Sequence, residues 1–306
     1  MKLVLAADGP LDVDGTLARY RIWGEDPSNR FTGDAFCRVL RLDDRLVPYE
    51  VRWEGPIDDV RLVIHASGRS NSAVAAGIER EVRRVFGLDF DLPGFYRFAK
   101  RDPVLGAVVE RLHGFRPTLS PTPLEMFVGS ITAQQVNLAF AFALRARLVV
   151  RFGTRLAIGG REVYAFPEAA RLAHARLADL RAMQFSQRKA EYVIGIGREI
   201  ATAALDLSRL AASSDEAVIE RLTSIRGFGR WTADWFLARY LGRGACCAAG
   251  DLGVRRAFEH YYGRGRSLSE AAIRRRAATW GEYQNLAVHY LLTGQRTEAR
   301  MAKARA

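Results

Sequence analysis

The stretch Leu222 to Ala233, LTSIRGFGRWTA, decides how the rest of the chain is read. Two helical patterns meet in it across Gly227-Phe228-Gly229, and apolar Leu222, Ile225 and Phe228 anchor the connection from inside. Two glycines separated by one residue let the backbone take positive φ and let an external group come close, which a Cβ would obstruct. The amides of such a turn point outward at the start of the next helix, where the helix dipole favours an anion such as a phosphate. Arg226 and Arg230 flank the turn and add charge-assisted contacts. Gly227, Gly229, Arg226, Arg230 and Thr232 are therefore the expected phosphate-binding residues. The competing reading is a tight helix-turn-helix that needs no ligand, because GxG alone is a weak signal.

Charge supports an anionic partner. The chain has 306 residues and a formal net charge of +12. Counted along the sequence, residues 1–92 carry 13 Lys or Arg against 16 Asp or Glu, and residues 93–306 carry 33 against 18. The surplus thus belongs to the later two thirds, where neutralising a polyanion would release counterions. A general preference for arginine is the alternative, since only four residues are Lys. With 49% hydrophobic residues the chain can bury a sizeable core in two or three domains. No stretch approaches the roughly 20 apolar residues that cross a bilayer, and the opening MKLVLAADGP does not read as a signal peptide. Cys37, Cys246 and Cys247 have neither disulfide nor metal spacing, so a reduced, cytoplasmic setting is expected. His65, His113, His174, His260 and His289 show no metal spacing and read as structural or surface residues.

The predicted fold class is mainly α: an all-helical core preceded by a small α+β N-terminal domain over residues 1–92. There FCRVLRLDDRLVPYEVRWEG alternates as a hairpin, VRLVIHAS supplies another strand, and SNSAVAAGIEREVRRVFGL forms a helix ending at Gly87. A turn, DLPG at 91–94, closes the domain. Residues 93–306 read as about ten short helices in two subdomains flanking a cleft, with the hairpin at 214–242. The longest helix is expected from Leu124 to Phe152, apolar nearly all round. The stretches 113–123, 153–167 and 241–250 read as connections.

The whole twelve-residue hairpin pattern resembles the helix-hairpin-helix of DNA glycosylases. That family couples its hairpin to a carboxylate about twenty residues downstream, and Asp251, in AAGDLGVRRAFEHYYG, stands 22 residues after Gly229. An Asp before a helical run is also an ordinary N-cap, and the two roles are compatible because a helix N-terminus favours the charged carboxylate. Over about residues 95–295 the chain looks like the inducible bacterial 3-methyladenine glycosylases (the AlkA type). The entry helices are matched by FYRFAKRDPVLGAVVERLHGFRP, the central helix by GSITAQQVNLAF, and the helices before the hairpin by FPEAARLAHARLADLRAMQFSQRKAEYVIGIGREI.

The resemblance implies a mechanism. Bifunctional relatives resemble GxGxKxAD and carry a Schiff-base lysine where this chain has Trp231 in GFGRWTAD, so a monofunctional enzyme using water is expected. Iron-sulfur relatives need four spaced cysteines. No cofactor is implied, and the one ion left open is a monovalent cation on the hairpin's backbone carbonyls. The partner would be double-stranded DNA containing damaged bases, bound by a monomer, with the damaged nucleotide rotated out of the stack. By resemblance Gln135 is the wedge that fills the gap, against the alternative of a solvated helix-end glutamine. Trp231 and Trp235, four apart on one helix face, are expected in the base pocket with Gln134, although two Trp at that spacing also suit a core. Trp280 and Tyr283 are lesser candidates, and Leu292 stands where a pocket Trp is expected. Asp251 would stabilise the cationic sugar as the base departs. Two alternatives remain: a non-catalytic DNA-binding protein, and an oxidised-purine glycosylase, which the missing lysine disfavours.

Overall fold

The computed structural model describes residues 1–68 and 71–305. Strands β1 (Lys2–Ala6), β2 (Arg30–Thr32), β3 (Ala35–Leu42), β4 (Arg45–Glu54) and β5 (Arg61–Ala66) form an antiparallel sheet in the order β1-β5-β4-β3-β2. Leu40 stands opposite Val47 and Phe36 opposite Val51, a register that sends Phe36 and Leu40 to one face while Ala35, Cys37 and Val39 go to the other. On the first face lies the helix Ser72–Val85, whose Val74, Ile78, Val82 and Val85 are buried. Asn71 caps that helix by accepting the Val74 amide at 2.9 Å. Gly77 lets it lie close, because a Cβ there would meet Leu40 Cδ2 at 2.9 Å.

The opposite face of β3 is covered from the helical part of the chain. The stretch 153–167, expected to be a connection, is instead a hairpin of β6 (Thr154–Ile158) and β7 (Arg161–Ala165). Gly159 and Gly160 both have positive φ and turn it. Its Ile158, Val163 and Ala165 bury against Ala35, Cys37 and Val39. Burial on both sides departs from the simple alternation expected here: Ala35, Phe36, Cys37, Arg38, Val39 and Leu40 are all buried.

Three further expectations are corrected from Leu92 onward. The DLPG segment does not end in a turn: Asp91 accepts the Gly94 amide at 2.8 Å and caps the helix Leu92–Ala99, with Pro93 in its first turn. Twelve further α-helices follow among the described residues, more and shorter than anticipated. The long central helix breaks in two, Pro123–Ala133 and Leu138–Phe152. Gln135 takes φ +55 in the break, and Asn137 restarts the helix by accepting the Phe140 amide at 2.9 Å, a competition between side chain and backbone ladder that Asn favours. The second half is also amphipathic, with Leu144, Leu148 and Val149 buried but Val150 exposed.

The two parts of the molecule are locked by buried charge. Glu125, on the first central helix, accepts from Arg38 of β3 and from Arg145, each at 2.9 Å. Arg145 also pairs with Asp26. Arg116 donates to the carbonyls of Pro10, Gly87, Leu88 and Phe90 at 3.0–3.2 Å, tying the chain's first segment to the end of the α+β part. No helix among the described residues is long and apolar enough to cross a membrane.

Candidate active site

The hairpin forms where the sequence placed it. Its first helix, Asp215–Thr223, is capped by Ser214; its second runs Arg230–Phe236 and continues as a π-helical turn, Leu237–Leu241, before Gly242 ends it at φ +67. Leu222 and Phe228 are buried, and Phe228 and Phe236 both stack on Phe127, with centroids 5.0 and 4.9 Å away. This seats the hairpin on the first central helix.

The two glycines divide the work expected of both. Gly227 has φ +91, and a Cβ on it would come within 2.5 Å of the Tyr192 ring. Gly229 is extended, at φ −117, and a Cβ there would meet nothing within 4 Å. It is the helix N-cap and exposed, and no side chain caps that end. Only Gly229 therefore leaves open space for an incoming phosphate.

The flanking groups are less free than the sequence suggested. Arg226 pairs with Glu191 at 2.8 Å and Arg230 with Asp234 at 2.7 Å, both with exposed side chains. Thr232 is 1% exposed and its amide donates to the Gly229 carbonyl at 3.0 Å, because the third residue of this helix turns into the core. Gln134 is also displaced from its expected place. Its amide donates to the Gly227 carbonyl at 2.8 Å, joining central helix to hairpin, and it does not line the cavity. The Ile225 carbonyl likewise accepts the Phe228 amide at 3.0 Å. Each of these carbonyl oxygens retains a second lone pair, so these bonds do not bar a monovalent cation there.

Twenty residues beyond Trp231, Asp251 caps the helix Leu252–Tyr262. Its Oδ1 accepts the Gly253 amide at 2.8 Å and the Val254 amide at 3.0 Å. Its Oδ2 accepts the indole N–H of Trp231 at 2.8 Å and of Trp235 at 3.2 Å. Cap and pocket carboxylate are thus one residue. The four donors fix the carboxylate at the wall of a cavity of about 760 Å³ that Trp231, Trp235, His289 and Leu292 also line. Trp231 is half-buried, whereas Trp235 is buried with Arg239 over its ring at 4.4 Å and His289 edge-on at 5.6 Å. Trp280 and Tyr283 are not in the cavity: Trp280 packs on Phe258 and Tyr262, and Tyr283 on Phe95 and Phe98.

Gln135 is exposed at the break between the central helices. No lysine lines the cavity among the described residues, and Lys189 donates to the Thr132 carbonyl at 2.8 Å. No cluster of metal-binding side chains occurs among the described residues. The three cysteines are buried and free.

Residues 128–282 match the model of the HhH-GPD superfamily of base excision DNA repair proteins. The chain belongs to this family. It is 31% identical over 214 residues to a DNA-3-methyladenine glycosylase of Bacillus subtilis, covering 70% of this chain and 71% of that one. It superposes on a 3-methyladenine DNA glycosylase from Archaeoglobus fulgidus with a TM-score of 0.84 at 27% identity, over 96% of this chain and 98% of the other. A Clostridium acetobutylicum 8-oxoguanine glycosylase/lyase shares the fold, at 18% identity and a TM-score of 0.76 over 97% and 98%.

The cavity also contains residues that sequence reasoning overlooked. Arg239 follows Trp235 by four positions on the same helical face and was in principle visible. Arg19 and Arg296 reach the cavity from Arg19–Ile22 and Gln284–Arg305, elements remote in sequence that no local pattern connects.

Proposed function

We propose that this protein is a monofunctional DNA glycosylase that hydrolyses the N-glycosidic bond of alkylated purines, of the 3-methyladenine and 7-methylguanine type, in double-stranded DNA. The observation that carries the reading is Asp251, a carboxylate held by four N–H donors in the wall of a cavity beside the hairpin. Gly229 receives a backbone phosphate, and Gln135 fills the gap left by the extruded nucleotide. The base enters against Trp231.

As the C1′–N bond lengthens, its electron pair leaves with the purine and positive charge gathers on the sugar. A carboxylate fixed by short hydrogen bonds need not reorganise to meet that charge, which is the main source of its effect. Water adds to C1′, one of its protons passing to solvent by way of Asp251, and an abasic site results. Trp231 occupies the position of the lysine that a strand-nicking enzyme would use, and its indole N–H is directed at Asp251. An oxidised-purine glycosylase/lyase shares the fold, but that chemistry lacks its amine here. The protein acts as a monomer in the cytoplasm on this reading.

Incubation with duplexes carrying 3-methyladenine, 7-methylguanine, hypoxanthine, ethenoadenine or 8-oxoguanine tests it. Release of alkylated purine, with strand breakage only after alkali, is the expected result. Breakage without alkali overturns the monofunctional assignment, and binding without release leaves a protein that merely grips DNA.

A further inference from the structure

Three arginines from three distant elements converge on the cavity that holds Asp251: Arg19, Arg239 and Arg296. None forms an ion pair with a carboxylate among the described residues. Arg19 donates to Thr118 Oγ1 at 3.2 Å. Arg296 has only the Trp23 ring, 6.0 Å from its Cζ, and its Nη2 comes close to the amide end of the Asp251 helix. Arg239 is the least satisfied. Its guanidinium lies on Trp235, its Nε is buried without a partner, and no described group accepts from it. Burial first, and then repulsion from Arg19 and Arg296, push it well below the ordinary arginine range. Guanidinium nevertheless stays charged in proteins, so three cations share the attraction of one carboxylate, Asp251. Asp251 attracts Arg239 and Arg296 without forming an ion pair with either, and one carboxylate does not balance three guanidiniums.

Such a cluster gives a cationic base no added attraction on the Trp235 side of the cavity, whereas Trp231 stays open to it. Arg239 already takes a face of Trp235, where a cationic purine would gain its attraction to the ring. An arginine can only donate, so it meets a carbonyl oxygen well and an amino group badly. We propose that Arg239, supported by Arg19 and Arg296, binds the carbonyl oxygen of a 6-oxopurine and stabilises the negative charge that this oxygen takes up as the base leaves. This rests on the glycosylase reading and makes Arg239 the residue that admits, beside the alkylated purines, neutral purines with a carbonyl at C6 such as hypoxanthine.

The chemistry balances without another reactant. A neutral purine that keeps the C1′–N9 electron pair departs as an anion, with its charge spread onto O6. Water supplies the hydroxyl to C1′, and its remaining proton returns the base to neutrality through solvent. A cationic alkylpurine needs no help in leaving. A neutral one does, and fixed donors at O6 provide it where no general acid stands. A backbone phosphate would also suit arginine, but the phosphate site at Gly229 lies on the exposed hairpin, whereas Arg239 lies over Trp235 in the wall of the cavity that holds Asp251.

Single-turnover release from duplexes with hypoxanthine or 3-methyladenine, by the wild type, Arg239→Met and Arg239→Lys, tests the assignment. The ratio of hypoxanthine to 3-methyladenine release is expected to fall at least tenfold in Arg239→Met, with partial recovery in Arg239→Lys. Equal losses on both substrates would place Arg239 at a phosphate or in the fold and overturn the proposal. So would a wild type that frees 3-methyladenine but not hypoxanthine. Release of neither base would instead defeat the glycosylase reading and the inference with it. A second measurement needs no variant: free hypoxanthine should inhibit the wild-type enzyme at a tenfold lower concentration than free adenine. Equal inhibition by the two would count against the carbonyl contact.

Discussion

Trp231 and Asp251 are joined by an indole-to-carboxylate hydrogen bond of 2.8 Å, so one tryptophan both lines the cavity and holds its carboxylate. Trp235 makes the same kind of bond at 3.2 Å. A hydrogen bond to a charged group is worth about 1.5–3 kcal/mol. Trp231→Phe keeps an aromatic face and removes the shorter donor. Single-turnover base release should fall roughly ten- to hundredfold, within that energy range, with DNA affinity little changed. An unaltered rate would mean that Trp231 only lines the cavity.

Asp251→Asn keeps the size of the side chain and an oxygen for the Gly253 and Val254 amides, but discards the charge. Base release should drop by about a thousandfold or more, as for loss of a preorganised electrostatic group. Affinity for an abasic or undamaged duplex, measured by fluorescence anisotropy, should be equal or higher, because an anion near phosphates has gone. Full activity in this variant would refute the mechanism.

The hairpin glycines should respond oppositely to alanine. At Gly227 the methyl group faces the Tyr192 ring at 2.5 Å with φ at +91, so Gly227→Ala should lose about 2–4 kcal/mol of folding stability in urea titration. At Gly229 the backbone is extended and the space open. Gly229→Ala should cost less than about 1 kcal/mol, yet weaken binding to damaged and undamaged duplexes alike. A reversed pattern would put the phosphate at Gly227.

How much of this was legible in the sequence depended on how local the cause was. The hairpin and Asp251 could be read because apolar anchors, glycines and a cap lie within thirty residues of one another. Thr232 and Gln134 could not be placed, since which way a first-turn threonine or a helix-end glutamine faces is set by the element packed against it. The same limit hid β6 and β7, whose apolar side is explained only by the distant face of β3, although Gly159-Gly160 was a usable turn signal. The break at Gln134 to Asn137 was signalled by Asn137 as a cap but masked by the apolar residues on either side. Convergence of Arg19, Arg239 and Arg296 is purely tertiary.

His289 ties acid stability to the cavity. Its Nδ1 sits 2.9 Å from the Asn285 carbonyl, which makes Nδ1 the donor, while Nε2 is buried without a partner. Burial, and then Arg239, hold its pKa well below the usual 6.5. The unfolded chain therefore takes a proton near pH 6.5 that the folded protein refuses. Stability should be complete above that pH and decline as pH falls through it, by at most about 1.4 kcal/mol per unit. Urea titrations between pH 7.5 and 5 should show this slope in the wild type and a shallower one in His289→Gln. Identical slopes would assign the acid sensitivity elsewhere.

Glu125 is the joint at which both halves of the molecule meet the cavity. It accepts from Arg38 and Arg145 at 2.9 Å, is 5% exposed, and lines the same cavity as Asp251. Replacing it with Gln leaves Arg145 to Asp26 alone and Arg38 to Glu81 at 3.7 Å, two buried cations with too little compensation. Loss of one member of a buried pair costs about 3–5 kcal/mol, chiefly because the survivor stays desolvated. Glu125→Gln should show a loss of that size in urea titration. Arg145→Met should be similarly costly, whereas the double variant should lose clearly less than the sum, since removing both members strands less charge. Losses that add within about 0.5 kcal/mol would mean the pair is not coupled, and that the two halves are held by their apolar contacts, such as β7 against β3.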